Sequence, residues 1–121
     1  MVQTVINIIL FALLAWFLAS RFIPPKGVQM ITTAELKRRL KQSGVQYIDV
    51  RTPMEFRSFH LPGFRNIPLH ELAARARELS KEKEVVVICQ SGMRSQKASK
   101  WLKKMGFQHV TNVKGGLNAW Q

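Results

Sequence analysis

The side chains with the clearest chemical capacity lie in one short polar loop around the only cysteine of the chain. This loop runs from Cys89 to Ser95 with the sequence Cys-Gln-Ser-Gly-Met-Arg-Ser. A single cysteine cannot form an intramolecular disulfide, and no group of cysteines and histidines has the spacing of a zinc site. If backbone N–H groups of the loop point inward, they stabilise the thiolate and hold an anion beside it. The loop therefore predicts a nucleophilic thiol in an anion-binding site.

Individual residues of this loop have distinct expected roles. Gly92 permits the positive φ that an inward curl requires. Arg94 is expected to return a planar guanidinium to the rim of the loop, and Ser95 to cap the helix that follows. Cys89 is the candidate catalytic residue. The candidate substrate-binding residues are the rest of the loop, namely Gln90, Ser91, Gly92, Met93, Arg94 and Ser95.

The loop follows a run of four apolar residues at 85–88, Val-Val-Val-Ile, which predicts a central parallel strand buried on both faces. Further strands are predicted at 28–31, 47–50, 64–67 and 110–113, with helical patterns between them, including residues 69–79 and 95–105. This alternation predicts the α/β class, with a mainly parallel central sheet of about five strands flanked by helices. Ligands of such sheets bind at the carboxyl ends of the strands, where Cys89 lies.

Two charged residues flank the end of the strand predicted at 47–50. Asp49 and Arg51 carry opposite charges and are separated by one residue. We interpret them as supporting residues, which form an ion pair or brace the loop through hydrogen bonds, and not as catalysts. The histidines are predicted to be structural or surface residues; they are His60, His70 and His109.

The N-terminal segment has the composition of a membrane span. Residues 2–19 carry no charge, and the apolar run extended through Ile23 reaches about 33 Å as a helix, against a hydrocarbon core of about 30 Å. We predict a transmembrane anchor at 1–23, a Pro/Gly linker at 24–27 and a domain at 28–121. A cleaved secretory signal is disfavoured because no basic residue precedes the run. A buried amphipathic helix is disfavoured because no polar stripe repeats at helical spacing.

The basic residues predict both an orientation and a class of partner. The net charge is +12, which favours an anionic partner such as a lipid surface, a nucleic acid or a small anionic substrate. Scattered basic residues without an aromatic ladder disfavour a nucleic acid, and the charge alone does not choose between a lipid surface and a small anion. The lipid bilayer is expected as a partner because of the apolar span. Basic residues follow the uncharged run at 2–19 and none precedes it, which predicts a single-pass membrane protein with its domain in the cytoplasm. The first of these residues are Arg21, Lys26, Lys37, Arg38, Arg39 and Lys41.

Taken in order, the motifs of residues 27–121 resemble those of the rhodanese-like domain family of single-domain sulfurtransferases. The motifs are Tyr47-Ile48-Asp49-Val50-Arg51 leading to Glu55-Phe56, His60-Leu61-Pro62-Gly63 followed by Asn66-Ile67-Pro68, the loop from Cys89 to Arg94, Met105-Gly106-Phe107, and Gly115-Gly116-Leu117-x-x-Trp120. The resemblance implies a rhodanese-like fold. Phe64 is a departure, because the family usually has a small residue at this position, and it puts the local packing in question.

The resemblance also implies a reaction in two displacements. The Cys89 thiolate takes sulfane sulfur from a small sulfur-containing anion such as thiosulfate and becomes a persulfide. The sulfur then passes to a thiol, to cyanide or to a protein acceptor. The resemblance implies no metal or organic cofactor, and a thiol activated by its surroundings needs no adjacent histidine base.

Two other functions remain open from the sequence. Cysteine-dependent phosphatases and arsenate reductases also place a cysteine in a loop that an arginine closes, but the resembling phosphatase families have five residues between the two. Four residues separate Cys89 from Arg94. The other alternative is a non-catalytic, membrane-tethered binding module. The intact loop argues against that alternative, because inactive relatives commonly lose the cysteine.

Overall fold

The computed structural model describes residues 1–20, 26–40 and 42–121. Its helices are α1 (Val2–Ser20), α2 (Thr33–Arg39), α3 (Pro53–Ser58), α4 (Leu72–Arg75) and α5 (Met93–Lys104). Its strands are β1 (Val28–Ile31), β2 (Gln46–Asp49), β3 (Arg65–Asn66), β4 (Val85–Ile88) and β5 (Val110–Val113). Short 3₁₀ turns lie at Leu69–Glu71, Ala76–Glu78 and Gly116–Ala119. The end of the predicted span and the two prolines of the predicted linker lie outside the described residues.

The five strands form one sheet in the order β1-β5-β4-β2-β3, and every neighbouring pair is parallel. Strand β4 lies at the centre, paired with β2 on one side and β5 on the other. All four of its residues are buried, as expected for an apolar, β-branched strand with helices on both faces. The predicted α/β class and the mainly parallel five-stranded sheet are confirmed.

Alternate residues of β4 belong to different cores, because successive side chains of a strand point to opposite faces. Val85 and Val87 pack on the face that carries Ala98 and Leu102 of α5. Val86 and Ile88 pack in the opposite core, which contains Leu36 of α2. Cys89 continues the first set. The register of β4 therefore directs the thiol toward the side of the sheet on which α5 packs.

Helix α3 begins with a complete capping box, which orients an acidic side chain beside the sheet. Thr52 Oγ1 accepts a hydrogen bond from the Glu55 N–H at 3.2 Å, and Glu55 Oε1 accepts one from the Thr52 N–H at 3.1 Å. Pro53 occupies the first helical turn, where its missing N–H costs no hydrogen bond. These local contacts hold the carboxylate of Glu55 at the start of α3.

The segment predicted as a helix at 69–79 is not continuous. Only Leu72–Arg75 is α-helical, with a 3₁₀ turn on each side. The Leu69 N–H donates to Val50 O at the end of the sheet, and the Glu71 N–H donates to Pro68 O, so the segment starts as a tight turn. Attachment to the sheet therefore overrides the helical pattern here.

Strand β3 is shorter than the predicted 64–67, because only Arg65 and Asn66 pair with β2. Phe64 lies just before it and is buried. Its ring centroid is 5.3 Å from that of Tyr47, in a tilted arrangement. Both residues belong to the core that contains Leu36 of α2, so the larger residue at this position is accommodated.

Helix α1 has 19 residues, and none of them is buried. By length and composition it can cross a membrane, and a signal sequence near an N-terminus satisfies the same criteria. The structure thus confirms an N-terminal helix that is long and apolar enough to span.

Candidate active site

Cys89 lies immediately after β4, at the carboxyl edge of the sheet, with its side chain fully buried. Its Sγ accepts hydrogen bonds from two backbone N–H groups, that of Gly92 at 3.0 Å and that of Ser95 at 3.3 Å. The Ser95 hydroxyl oxygen lies 3.4 Å from the same sulfur. Three polar groups of the loop and of the first turn of α5 therefore converge on Sγ. The predicted inward curl of the loop is present at these positions.

Gly92 makes the curl. Its φ is +100°, a conformation that a residue with a Cβ rarely adopts, as the sequence predicted. Gly92 is also the N-cap of α5, so the helix begins at Met93 and the predicted role of Ser95 as its cap is wrong. Because the chain turns at Gly92, Ser95 already lies in the first helical turn. From there its hydroxyl lies 3.2 Å from Gly92 O and faces the Cys89 sulfur.

The 3₁₀ turn Gly116–Ala119 supports the loop from behind. The Leu117 N–H donates to Cys89 O and the Asn118 N–H donates to Gln90 O, both at 2.9 Å. The Gln90 side-chain amide also donates to Asn118 Oδ1 at 2.7 Å. A Cβ on Gly116 would lie 2.3 Å from Cys89 O, so this contact requires glycine. The residue patterns alone assigned no role to this turn, although the adjacent Gly115 and Gly116 could have indicated a close backbone contact.

Asp49 and Arg51 form a buried ion pair beside the loop. Their side chains are 1% and 4% exposed, and Arg51 Nη2 lies 2.8 Å from Asp49 Oδ2. Arg51 Nη1 donates to Gln90 Oε1 at 3.3 Å, and Nη2 donates to Phe59 O at 2.6 Å. The predicted ion pair is therefore present, and the guanidinium links the end of β2 to the second residue of the loop.

Arg94 makes a contact that the sequence did not predict. Its Nη1 and Nη2 donate to Glu55 Oε1 and Oε2 at 2.7 and 2.9 Å, a bidentate pair in which both side chains are about one-third exposed. The hydrogen bond from Arg94 lowers the pKa of Glu55 to about 2 and, reciprocally, the pKa of Arg94 is raised. Glu55 is thus a site residue that sequence reasoning missed. The capping box formed by Thr52 and Glu55 could have indicated this role, because its hydrogen bonds fix the orientation of the Glu55 carboxylate.

Removal of the Glu55 charge is expected to destabilise the domain in a pH-dependent way. The folded-state pKa is depressed from 4.5 to about 2, so ionised Glu55 stabilises the fold above about pH 4.5, and this stabilisation is lost as the pH falls toward 2. We expect Glu55→Gln to melt below the wild type at neutral pH, with a difference that shrinks in acid. Thermal melts from pH 2.5 to 7 measure it. The exposed Glu82→Gln is the control, and an equal difference at every pH would contradict the prediction.

The remaining predicted residues lie at the surface near the loop or away from it. Ser91 and Met93 are exposed, and 70% of Met93 is accessible. The three histidines are exposed as predicted, and His60 stacks on Phe56 with ring centroids 3.8 Å apart. The structure therefore brings Cys89, Gly92 and Ser95 together around one sulfur, with Arg94 paired at the rim.

Fold and site define a class of protein: a parallel α/β domain with a buried cysteine at the end of its central strand and an arginine-bearing loop around it. The chain belongs to the rhodanese-like domain family, whose profile matches residues 32–121. A relative of near-equal length is the uncharacterized protein YqhL of Bacillus subtilis, 34% identical over 120 residues, which cover 99% of this chain and 94% of YqhL. That alignment extends over the N-terminal helix.

Other relatives carry functional names. A protein of Allochromatium vinosum named sulfurtransferase is 35% identical over 94 residues, which cover 77% of this chain and 88% of that protein. Among solved structures, a rhodanese-like domain protein of Staphylococcus aureus has a TM-score of 0.71 at 34% identity, covering 77% of this chain and 91% of that one. A human single-domain sulfurtransferase, TSTD1, has a TM-score of 0.67 at 27% identity, covering 75% and 93%.

Proposed function

We propose that this protein is a membrane-anchored sulfurtransferase that carries sulfane sulfur on Cys89, from thiosulfate or a related anion to a thiol, to cyanide or to a protein acceptor. The observation that carries the proposal is the convergence of the Gly92 and Ser95 N–H groups on a buried Sγ at the carboxyl end of β4. The sulfurtransferase names of relatives that match most of the chain support the same reaction class.

In the first displacement, the Cys89 thiolate attacks the outer sulfur of thiosulfate. A bond forms between Sγ and that sulfur, the S–S bond of thiosulfate breaks, and sulfite leaves with the electron pair. The Gly92 and Ser95 N–H groups donate hydrogen bonds to the attacking sulfur and fix its position. The N-terminus of α5, which starts at Met93, contributes a partial positive charge beside the arriving donor.

Arg94 and the exposed loop residues receive the donor anion. Two guanidinium nitrogens each donate one hydrogen bond to Glu55. An arginine has five N–H donors, so among the described residues this pairing leaves three for an anion. Glu55 thereby orients the guanidinium before the anion binds. Its carboxylate also partly neutralises the positive charge that Arg94 presents to the anion. Gln90, which Arg51 and Asn118 hold, keeps the backbone of the loop in place.

In the second displacement, the acceptor thiolate attacks the outer sulfur of the Cys89 persulfide. The S–S bond of the persulfide breaks, Cys89 leaves as a thiolate, and the acceptor becomes a persulfide. Because the leaving Sγ returns to the same two N–H groups, the contacts that activate the thiol in the first step also stabilise it as leaving group in the second.

Incubation with thiosulfate is expected to add the mass of one sulfur atom to Cys89. Mass spectrometry of the purified protein detects the adduct, and a thiol acceptor is expected to remove it with the appearance of acceptor persulfide. Cys89→Ser is the matched control and should gain no mass, because the chain has no other cysteine. If the native protein never gains sulfur but hydrolyses an aryl phosphate, the sulfurtransferase proposal is wrong and a phosphatase function takes its place.

The anchoring of the domain is the second part of the proposal. We propose that residues 1–23 form the transmembrane anchor, that 24–27 are the linker, and that the domain at 28–121 faces the cytoplasm. Support comes from the apolar helix α1, which has no buried residue, and from the basic residues that follow it.

A protease protection experiment tests this orientation. With tags at both ends, protease added to intact cells should remove the N-terminal tag and leave the C-terminal tag. Recovery of a soluble chain that begins near Ser20 and carries the C-terminal tag would instead indicate a processed secretory signal and contradict the anchor. Disruption of the membrane before digestion is the control, since both tags should then be lost.

A further inference from the structure

The outer side of α5 carries a line of exposed, mostly basic side chains. Residues 93, 97, 100 and 104 are spaced by four, three and four positions, so they fall on one side of the helix. The buried residues of α5 occupy the opposite side, namely Ser95, Ala98, Ser99 and Leu102. The exposed line, which we call the lysine face, consists of Met93, Lys97, Lys100 and Lys104. These four side chains are directed away from the core and are available to a partner outside the domain.

Among the described residues, no carboxylate forms an ion pair with the lysine face. Helix α5 itself contains no acidic residue. The salt bridges between described residues all use an arginine or a histidine, and none uses a lysine. Lys97 lies over the ring of Trp101, with its Nζ 5.4 Å from the ring centroid. The face therefore presents three positive charges that no described carboxylate neutralises.

Met93 adds an apolar group at the N-terminal end of the lysine face. It is 70% exposed. In the described domain at 28–121, it is one of three exposed large hydrophobic residues, together with Met54 and Phe59. Lysines on the polar part of a helix, next to an exposed apolar side chain, are typical of helices that lie on a membrane surface. The composition of the face therefore favours a lipid surface as the partner.

Residues of the proposed anchor and of the proposed linker lie close to the two ends of α5. At the N-terminal end, Met93 lines the same cavity as Phe17 and Leu18 of α1. At the C-terminal end, a Cβ on Gly27 would lie 3.0 Å from Lys103 Cε, so this lysine side chain passes beside the last residue of the linker. The helix is about 17 Å long between these two ends. If α1 spans the bilayer, the lysine face is therefore held near the membrane surface.

We propose that the lysine face docks on anionic phospholipid headgroups of the cytoplasmic leaflet, with Met93 at the boundary between headgroups and acyl chains. This inference rests on the anchor and the orientation of the proposed function. The negative potential of that leaflet attracts basic residues, and each lysine near the surface favours docking about fivefold. Because the cysteine loop leads directly into α5, docking also fixes the position of the active site relative to the bilayer.

The test uses the full chain in lipid nanodiscs that carry a gadolinium chelate on some headgroups, which speeds the NMR relaxation of nearby amides. One set of discs contains phosphatidylcholine alone, and the other also contains phosphatidylglycerol. We expect the amides of the lysine face to relax about threefold faster in the anionic discs than in the neutral discs, because docking requires the negative charge. The amide of Arg38, on the helix that packs in the opposite core, should change little. High salt should remove the difference, since it screens exposed charges.

Two double variants test whether the position of the charges matters. Lys100→Gln/Lys104→Gln removes two charges from the lysine face, and Lys37→Gln/Arg38→Gln removes two exposed charges from α2. The first variant is expected to lower the ratio of docked to undocked protein about 25-fold and to lose the faster relaxation, whereas the second keeps it.

Both variants include basic residues of a last helical turn, so any loss of stability from the helix dipole is matched, and thermal melts check it. Equal loss of the faster relaxation in the two variants would overturn the proposal. So would equal relaxation in neutral and anionic discs. If a DNA duplex shifts the amides of the lysine face and anionic discs do not, the face binds nucleic acid and the proposal is wrong.

The relaxation measurement needs no sulfur chemistry, so it separates the two proposals. If Cys89 never loads sulfur and the lysine face still relaxes faster in anionic discs, the sulfurtransferase function fails and the docking surface stands. If Cys89 loads sulfur and the amides relax equally in both sets of discs, the docking surface is wrong and the sulfurtransferase function stands. If the chain does not insert into the discs, the anchor fails and the docking proposal fails with it, whatever the result for sulfur loading.

Discussion

Gly116→Ala is expected to slow sulfur loading of Cys89 by about 100-fold, the scale found when reacting groups are displaced by about 1 Å. The added Cβ would lie 2.3 Å from Cys89 O and 2.8 Å from Gln90 O, both of them backbone atoms. Neither can move without moving the loop, because both carbonyl groups accept hydrogen bonds from the turn that contains Gly116. The substitution therefore displaces the backbone that carries the thiol. Single-turnover loading with thiosulfate, followed by mass spectrometry, measures the rate.

Gly116→Ala is also expected to destabilise the fold, and a substitution at a second glycine provides the control. Gly116 has a φ of +60°, where an alanine costs about 1–2 kcal/mol, and the clash adds about 1–3 kcal/mol. Gly44 has a φ of +78° but no atom within 4 Å of its added Cβ, and it precedes β2 at the opposite edge of the sheet. Gly44→Ala should therefore show the backbone strain alone and load sulfur normally. Equal loading rates for the two variants would show that the turn does not position the loop.

Removal of one partner of the Asp49–Arg51 pair is expected to cost about 3–5 kcal/mol of unfolding free energy. Both side chains are almost completely buried, and Arg51 reaches Gln90 Oε1 and Phe59 O in addition to Asp49. Arg51→Ala leaves a buried carboxylate without its counter-charge, and Asp49→Ala leaves a buried guanidinium. Denaturant unfolding of both single variants measures the cost. A change below about 1 kcal/mol, typical of an exposed ion pair, would contradict the burial of this pair.

The double variant separates stability from activity. Replacement of both charges by apolar residues of similar size, as in Asp49→Leu/Arg51→Met, is expected to recover most of the stability lost in the single variants, because no unpaired buried charge remains. Sulfur loading should stay about tenfold slow, since Gln90 has lost its charge-assisted hydrogen bond from Arg51. Full recovery of loading in the double variant would show that the pair serves only the stability of the fold.

The pairing of Arg94 with Glu55 distinguishes the observed site from the one expected. The sequence predicted a substrate-binding arginine with its planar guanidinium at the rim of the loop, whereas two nitrogens of that guanidinium contact a carboxylate of α3 at 2.7 and 2.9 Å. A planar guanidinium already held in position loses less side-chain entropy when the anion arrives. Glu55 is thus proposed to position Arg94 for the donor.

Local pattern in the sequence was enough for the central strand, the α/β class and the placement of the cysteine loop. The run at 85–88 is apolar at every position, so burial on both faces followed from composition alone, and β4 has the predicted bounds. The positive φ at Gly92 followed similarly, because only glycine adopts it readily and a curl at that point needs it. Asp49 and Arg51 are only two positions apart in the chain, so their ion pair could also be predicted from local spacing.

Tertiary structure decided the contacts between residues that are far apart in the chain. Glu55 and Arg94 are 39 positions apart, and Gln90 and Asn118 are 28 apart, so no local spacing connects them. Helix α5 starts at Met93 because the chain turns at Gly92 after β4. Ser95 therefore lies inside the helix and is not its cap. Hydrophobic periodicity specifies which face of an element is buried, whereas the partners that meet across that face depend on the order of the strands.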